Sequence, residues 1–78
     1  MDDLLIMRLG YYVSQVKCVN VGVYTIKFSR RKSKTFRKDG MILYSVTVLE
    51  GEKEIKKGVF TEYSNAVRFA GEIMYQFR

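Results

Sequence analysis

The sequence predicts a small α+β domain, an antiparallel β-sheet of three to four strands with a C-terminal amphipathic helix packed on one face. Three observations predict it. Residues 41–49 alternate with the period of a strand, placing Ile42, Tyr44, Val46 and Val48 on one side. Residues 66–77 change to helical period, with Ala66, Phe69, Ala70, Ile73 and Phe77 on one stripe. The 78-residue length leaves room for a single domain over residues 1–78, because a chain of this size buries only about 60% of its surface.

The elements follow in order. Asp2 or Asp3 can cap one or two helical turns that carry Leu5, Ile6 and Leu9 as far as Gly10, although so short a segment could equally enter a strand. From Tyr11 to Phe28 the residues are β-prone, and the alternation slips by one near Gly22: Val19, Val21 and Val23 share one parity, Tyr24, Ile26 and Phe28 the other. Two strands are therefore expected, over about 12–19 and 23–30, joined around Asn20 to Gly22, with one long bulged strand as the alternative. Asp39-Gly40 is a favoured turn pair before the strand at 41–49. Glu50-Gly51-Glu52 then reverses the chain into a more polar strand, Lys53 to Phe60, to form a hairpin. Ser64 or Thr61 can cap the final helix, inside which Gly71 costs roughly 1 kcal/mol relative to Ala unless it permits close packing on the sheet.

Composition removes several chemistries. With no His and a single cysteine, Cys18, the chain offers no disulfide, no Cys/His zinc cluster and no imidazole base or nucleophile partner. Cys18 is expected as a small buried hydrophobe in or beside a strand. Glu50, Glu52 and Glu54 alternate around a turn and could hold a weak divalent ion, but solvated hairpin charge is the commoner case. No enzymatic activity, metal or cofactor is expected. The uncharged runs are too short to span a bilayer, and the acidic start with Arg8 interrupting Leu4 to Leu9 does not fit a secretory leader. The expectation is a soluble intracellular protein, cytoplasmic or in a nuclear or host compartment, with no membrane partner.

Charge is the most informative feature. The formal net charge is +6, and half of the 14 basic residues fall within twelve positions: Lys27, Arg30, Arg31, Lys32, Lys34, Arg37 and Lys38, with no acid among them. Phe28 and Phe36 flank this segment and Ser29, Ser33 and Thr35 lie inside it, so aromatics could stack on bases while hydroxyls reach phosphates. The two Phe could instead anchor the core, and a short basic run also suits nuclear import or a membrane surface.

A resemblance adds to this reading. Tyr44-Ser45-Val46-Thr47-Val48-Leu49, a short turn, Lys53-Glu54-Ile55-Lys56-Lys57-Gly58-Val59-Phe60 and then Ala66 resemble the final hairpin and helix of AP2-type DNA-binding domains, and Gly22-Val23 is similar to the start of that family's first strand. Integrase amino-terminal arm-binding domains share the plan of three strands plus a helix. The resemblance implies a sheet read into a DNA groove with the helix behind it. It carries over the architecture and no individual base-reading residue: the strands hold no Trp, Glu62 stands where the family usually has Thr, and the basic loop is longer.

The expected function is that of a small nucleic-acid-binding protein, with DNA ahead of RNA. Lys27, Arg30, Arg31, Lys32, Lys34, Arg37 and Lys38, with Lys53, Lys56 and Lys57 of the later strand, are the candidate phosphate-contacting residues. The alternative is a phage- or mobile-element-type inhibitor or adaptor that binds a host protein through strand edges and exposed aromatics, with Tyr11, Tyr12, Tyr63 and Tyr75 as candidates. A second copy of the chain is a further candidate partner.

Overall fold

The computed structural model describes residues 3–32 and 42–77. The elements run α1 (Asp3–Val16), β1 (Cys18–Val21), β2 (Tyr24–Lys32), β3 (Ile42–Glu50), β4 (Lys53–Phe60) and α2 (Tyr63–Phe77). The strands form one antiparallel sheet in the order β1-β2-β3-β4, and α2 packs against it, so the expected α+β class is found.

The largest departure from the sequence reading is α1. A strand was expected from about residue 12, yet the helix continues to Val16 and β1 is only four residues long. Val13 and Val16 are β-branched, but their helix cost is a few tenths of a kcal/mol, whereas burying a side chain of this size contributes about 1.5–3 kcal/mol. Val13 is fully buried, and with Ile6, Gly10 and Ser14 it forms the stripe that faces inward. The helix ends at Lys17, whose φ of 73° is left-handed. Its amide donates to the Val13 carbonyl (2.8 Å) and its carbonyl accepts the Phe28 amide (2.8 Å), so the turn out of α1 feeds directly into the sheet.

The two described hairpin reversals are each two residues long, Gly22-Val23 and Gly51-Glu52. Each begins with a glycine at positive φ, +62° and +65°, while the residue after it keeps negative φ. That is the requirement of a turn whose twist matches the flanking strands. The β3–β4 register slips between Val48 and Leu49, which leaves Ile55 as an extra residue on β4. Ser64, offered as a cap, lies within the first turn of α2. Glu62 instead precedes the helix, and its carbonyl accepts the Ala66 amide at 3.2 Å.

One face of the sheet is covered. Ile26 and Phe28 of β2 and Val46 and Val48 of β3 meet Val13 of α1 and Ala66, Val67, Ala70 and Ile73 of α2 in the core. Gly71 packs closely, but against α1 and not the sheet: a Cβ there would overlap the Ile6 carbonyl, and a Cβ on Gly10 would overlap that of Val67. The core includes Phe28, so of the two expected roles for that ring, core anchor holds and base stacking does not.

Candidate nucleic-acid interface

Strand alternation decides which side chains can meet a ligand. On β2, Tyr24, Ile26 and Phe28 face the helices, so Thr25, Lys27, Ser29 and Arg31 face the other way. Across the sheet the register aligns Cys18, Lys27, Thr47 and Lys57 in one row and Ser29, Ser45 and Val59 in the next, with Arg31 opposite Leu43 beyond them. At a strand spacing of about 4.8 Å, the backbones of Lys27 and Lys57 lie about 10 Å apart with Thr47 between. Opposite-parity residues hold the core, so this second face is open. Cys18 lies on it and is exposed, contrary to its expected burial, because the left-handed Lys17 turns Val19 and Val21 toward the core and Cys18 away.

The ten sequence-predicted site residues do not form one surface. Lys27 and, beyond buried Phe28, Arg30, Arg31 and Lys32 are exposed positions of β2. Lys57 joins Lys27 on the open face. Lys56 has the opposite parity and holds its ammonium 5.5 Å from the Phe69 ring on the helix side, and Lys53 stands opposite Glu50 beside the β3–β4 turn. Lys34, Arg37 and Lys38 lie outside the described residues, as do Phe36 and the Asp39-Gly40 turn.

The described acids of the strands gather at one end of the sheet. The β1–β2 and β3–β4 turns lie there, where Tyr24 opposes Glu50, and that end carries Glu50, Glu52 and Glu54 together with Lys53 and Lys56. Arg30, Arg31 and Lys32 occupy the other end, where with Ile42 they line a hollow of about 230 Å³. Among the described residues, carboxylates pair only with Arg68, at 3.3 Å from Asp3 and 3.9 Å from Glu72, so none of the β2 cations is neutralised there. Lys17, which the sequence did not single out, adds a further cation at this end, with its ammonium 5.9 Å from the Phe28 ring. Its position depends on a left-handed backbone that no local pattern announced.

The described aromatic residues of the strands, Tyr24, Phe28, Tyr44 and Phe60, all pack against the helix-side core. The open face presents hydroxyls, cations and aliphatic groups in their place. Of the tyrosines considered for protein contact, Tyr11 and Tyr12 are more than half exposed on α1, whereas Tyr63 is anchored by a 2.6 Å hydrogen bond with Ser14 and edge contacts to Phe28 and Tyr44. A groove of about 340 Å³ between the helices is lined by Met7, Arg8, Tyr11, Tyr63, Ser64 and Val67. No helix of the described residues is long and apolar enough to cross a membrane, and no group of three acidic or cysteine side chains among them is placed to hold a metal ion.

No family model, curated protein or solved structure matches the chain.

Proposed function

We propose that the chain binds nucleic acid, duplex DNA before RNA, and that it acts as a binding module with no catalytic step. The observation that carries this reading is the set Lys27, Arg30, Arg31 and Lys32 at exposed positions of β2, unpaired with any described carboxylate, with Arg30, Arg31 and Lys32 at the end of the sheet away from Glu50, Glu52 and Glu54. Like charges held together without partners repel one another and favour a polyanion. Preference for a duplex follows from where the described rings of the strands lie: single-strand binders use exposed rings as stacking platforms, whereas Tyr24, Phe28, Tyr44 and Phe60 all pack on the helix-side core. The resemblance of the β3–β4–α2 segment to AP2-type domains supports the same substrate class.

The test is a titration of duplex DNA, single-stranded DNA and RNA at two salt concentrations, with wild type and a variant in which Arg30, Arg31, Lys32 and Lys34 are all changed to Ala. With about five phosphate contacts, log K for the duplex falls against log salt with a slope of about −4 to −5, and the variant loses most of the binding while keeping its fold. A flat salt response rejects the contact set.

The groove between α1 and α2 favours a second reading, a protein partner that inserts an apolar side chain beside Tyr11 and Val67. Absence of binding to all three nucleic acids at low salt would put this reading first.

A further inference from the structure

Two neighbouring rows of the open face bring cations and hydroxyls together. Lys27 of β2, Thr47 of β3 and Lys57 of β4 are direct cross-strand partners, and Ser29 and Ser45 are partners in the next row, where β2, β3 and β4 still run side by side. Residues two apart on a strand share a face at a separation of about 7 Å, so Ser29, Ser45 and Thr47 place three hydroxyls at adjoining positions. Lys27 and Lys57 bracket Thr47, one strand away on either side. That step is about 4.8 Å, and a lysine's flexible four-carbon stem can carry its ammonium across it. Both lysines and Ser29 are exposed, while Ser45 and Thr47 are half-buried. Among the described residues neither ammonium pairs with a carboxylate.

Resting on the nucleic-acid reading above, we infer that these five residues seat one phosphodiester group of the duplex backbone. The hydroxyls of Ser29, Ser45 and Thr47 donate to its free oxygens, and the ammoniums of Lys27 and Lys57 close on it from two sides. The two kinds of group divide the work. An ammonium is a compact charge on a mobile stem and attracts an anion without fixing its place, whereas short hydroxyl side chains on neighbouring strands hold their donors in a set pattern. Cations with hydroxyls are the chemistry of contact to the sugar-phosphate backbone, which fixes how a duplex lies on the protein and reads no sequence. Glu54 determines on which side of the lysine row the phosphate rests. It shares the open face in the row of Thr25 and Leu49, two residues from Thr47 and so about 7 Å away. At that separation its charge is inside the screening length of about 8 Å at physiological salt, and it pushes an anion toward Ser29 and Ser45.

The discriminating experiment measures affinity and salt slope for one short duplex with wild type, Lys57→Gln, Lys56→Gln and Thr47→Val, each checked by circular dichroism for an intact fold. Lys56 and Lys57 are adjacent and equally charged, but Lys56 holds its ammonium near the Phe69 ring on the helix side. Lys57→Gln is expected to reduce the slope by about 0.9, the contribution of one neutralised phosphate, and Lys56→Gln to leave it unchanged. Thr47→Val keeps the shape and the charge, so it is expected to lower affinity by about three- to tenfold, the loss of one hydrogen bond, with the slope unaltered. Equal slopes in the two lysine variants, or a Thr47→Val protein that binds like wild type, overturn the seat while leaving nucleic-acid binding standing. A wild type that binds no duplex at low salt overturns both.

Discussion

Gly10 and Gly71 meet where the two helices cross, and a Cβ built on Gly10 would lie 3.0 Å from the Gly71 amide nitrogen as well as overlapping the Val67 carbonyl. The obstruction is backbone on both sides, so it cannot be relieved by a rotamer change. An Ala at either position recovers roughly 1 kcal/mol of helix propensity but must separate the helices. Gly10→Ala and Gly71→Ala are each expected to destabilise by about 1–3 kcal/mol net in urea unfolding, the range typical of overpacking. A more stable variant at either position would show that the helices do not cross at this distance.

That contact also explains what could and could not be read from the sequence. Residues 42–60 announced their hairpin because Tyr44, Val46 and Val48 turn one face of a strand to the core and its turn, Gly51-Glu52, is local. α2 announced itself by its stripe. The turns of α1 up to Gly10 were one of two readings of that segment, but its second half did not announce itself, because Tyr11, Tyr12, Val13 and Val16 have strand propensity and their helical state is set by α2, at the far end of the chain. The candidate site divides in the same way. Composition revealed the cation cluster, but only the register shows that Lys56 turns to the helix side and that Arg30 and Arg31 face opposite ways.

Lys17 holds a left-handed φ that costs an L-residue roughly 1–2 kcal/mol and glycine almost nothing. The ring contact to Phe28 offsets little of this, since 5.9 Å is near the limit of an effective cation–π approach. Lys17→Gly is expected to raise stability by about 0.5–1 kcal/mol, after the larger unfolded-state entropy of glycine is set against the relieved strain. Gly51→Ala, where nothing crowds a Cβ but φ is +65°, is expected to lower it by about 1 kcal/mol. Thermal midpoints moving in opposite directions would bear this out, and a loss of stability in Lys17→Gly would contradict it.

The hydroxyl of Ser14 is 2% exposed at the residue level and has one proton, which goes to the Tyr11 carbonyl at 2.7 Å. In the 2.6 Å contact with Tyr63 the phenol must then be the donor. Tyr63→Phe therefore removes a bond without leaving Ser14 unsatisfied, and a cost of about 0.5–1.5 kcal/mol is expected. Ser14→Val places a second methyl where α1 meets α2 and should cost more, about 1–3 kcal/mol. Equal losses in denaturant titrations of the two variants would argue against this ordering.

The basic end of β2 is expected to weaken the fold it belongs to. Arg30 and Lys32 share one side of β2, two residues and so about 7 Å apart, and no described carboxylate neutralises them. In water such a pair repels by on the order of 0.6 kcal/mol before screening. Changing both to Gln should therefore stabilise the free protein by a few tenths of a kcal/mol at about 0.01 M salt, where the screening length is about 30 Å, and by nothing measurable at 1 M, where it is about 3 Å. Binding should respond in the opposite direction, with the double variant losing most affinity at the low salt where it gains stability. A variant whose stability gain persists at 1 M salt would point to altered strand propensity instead of relieved repulsion.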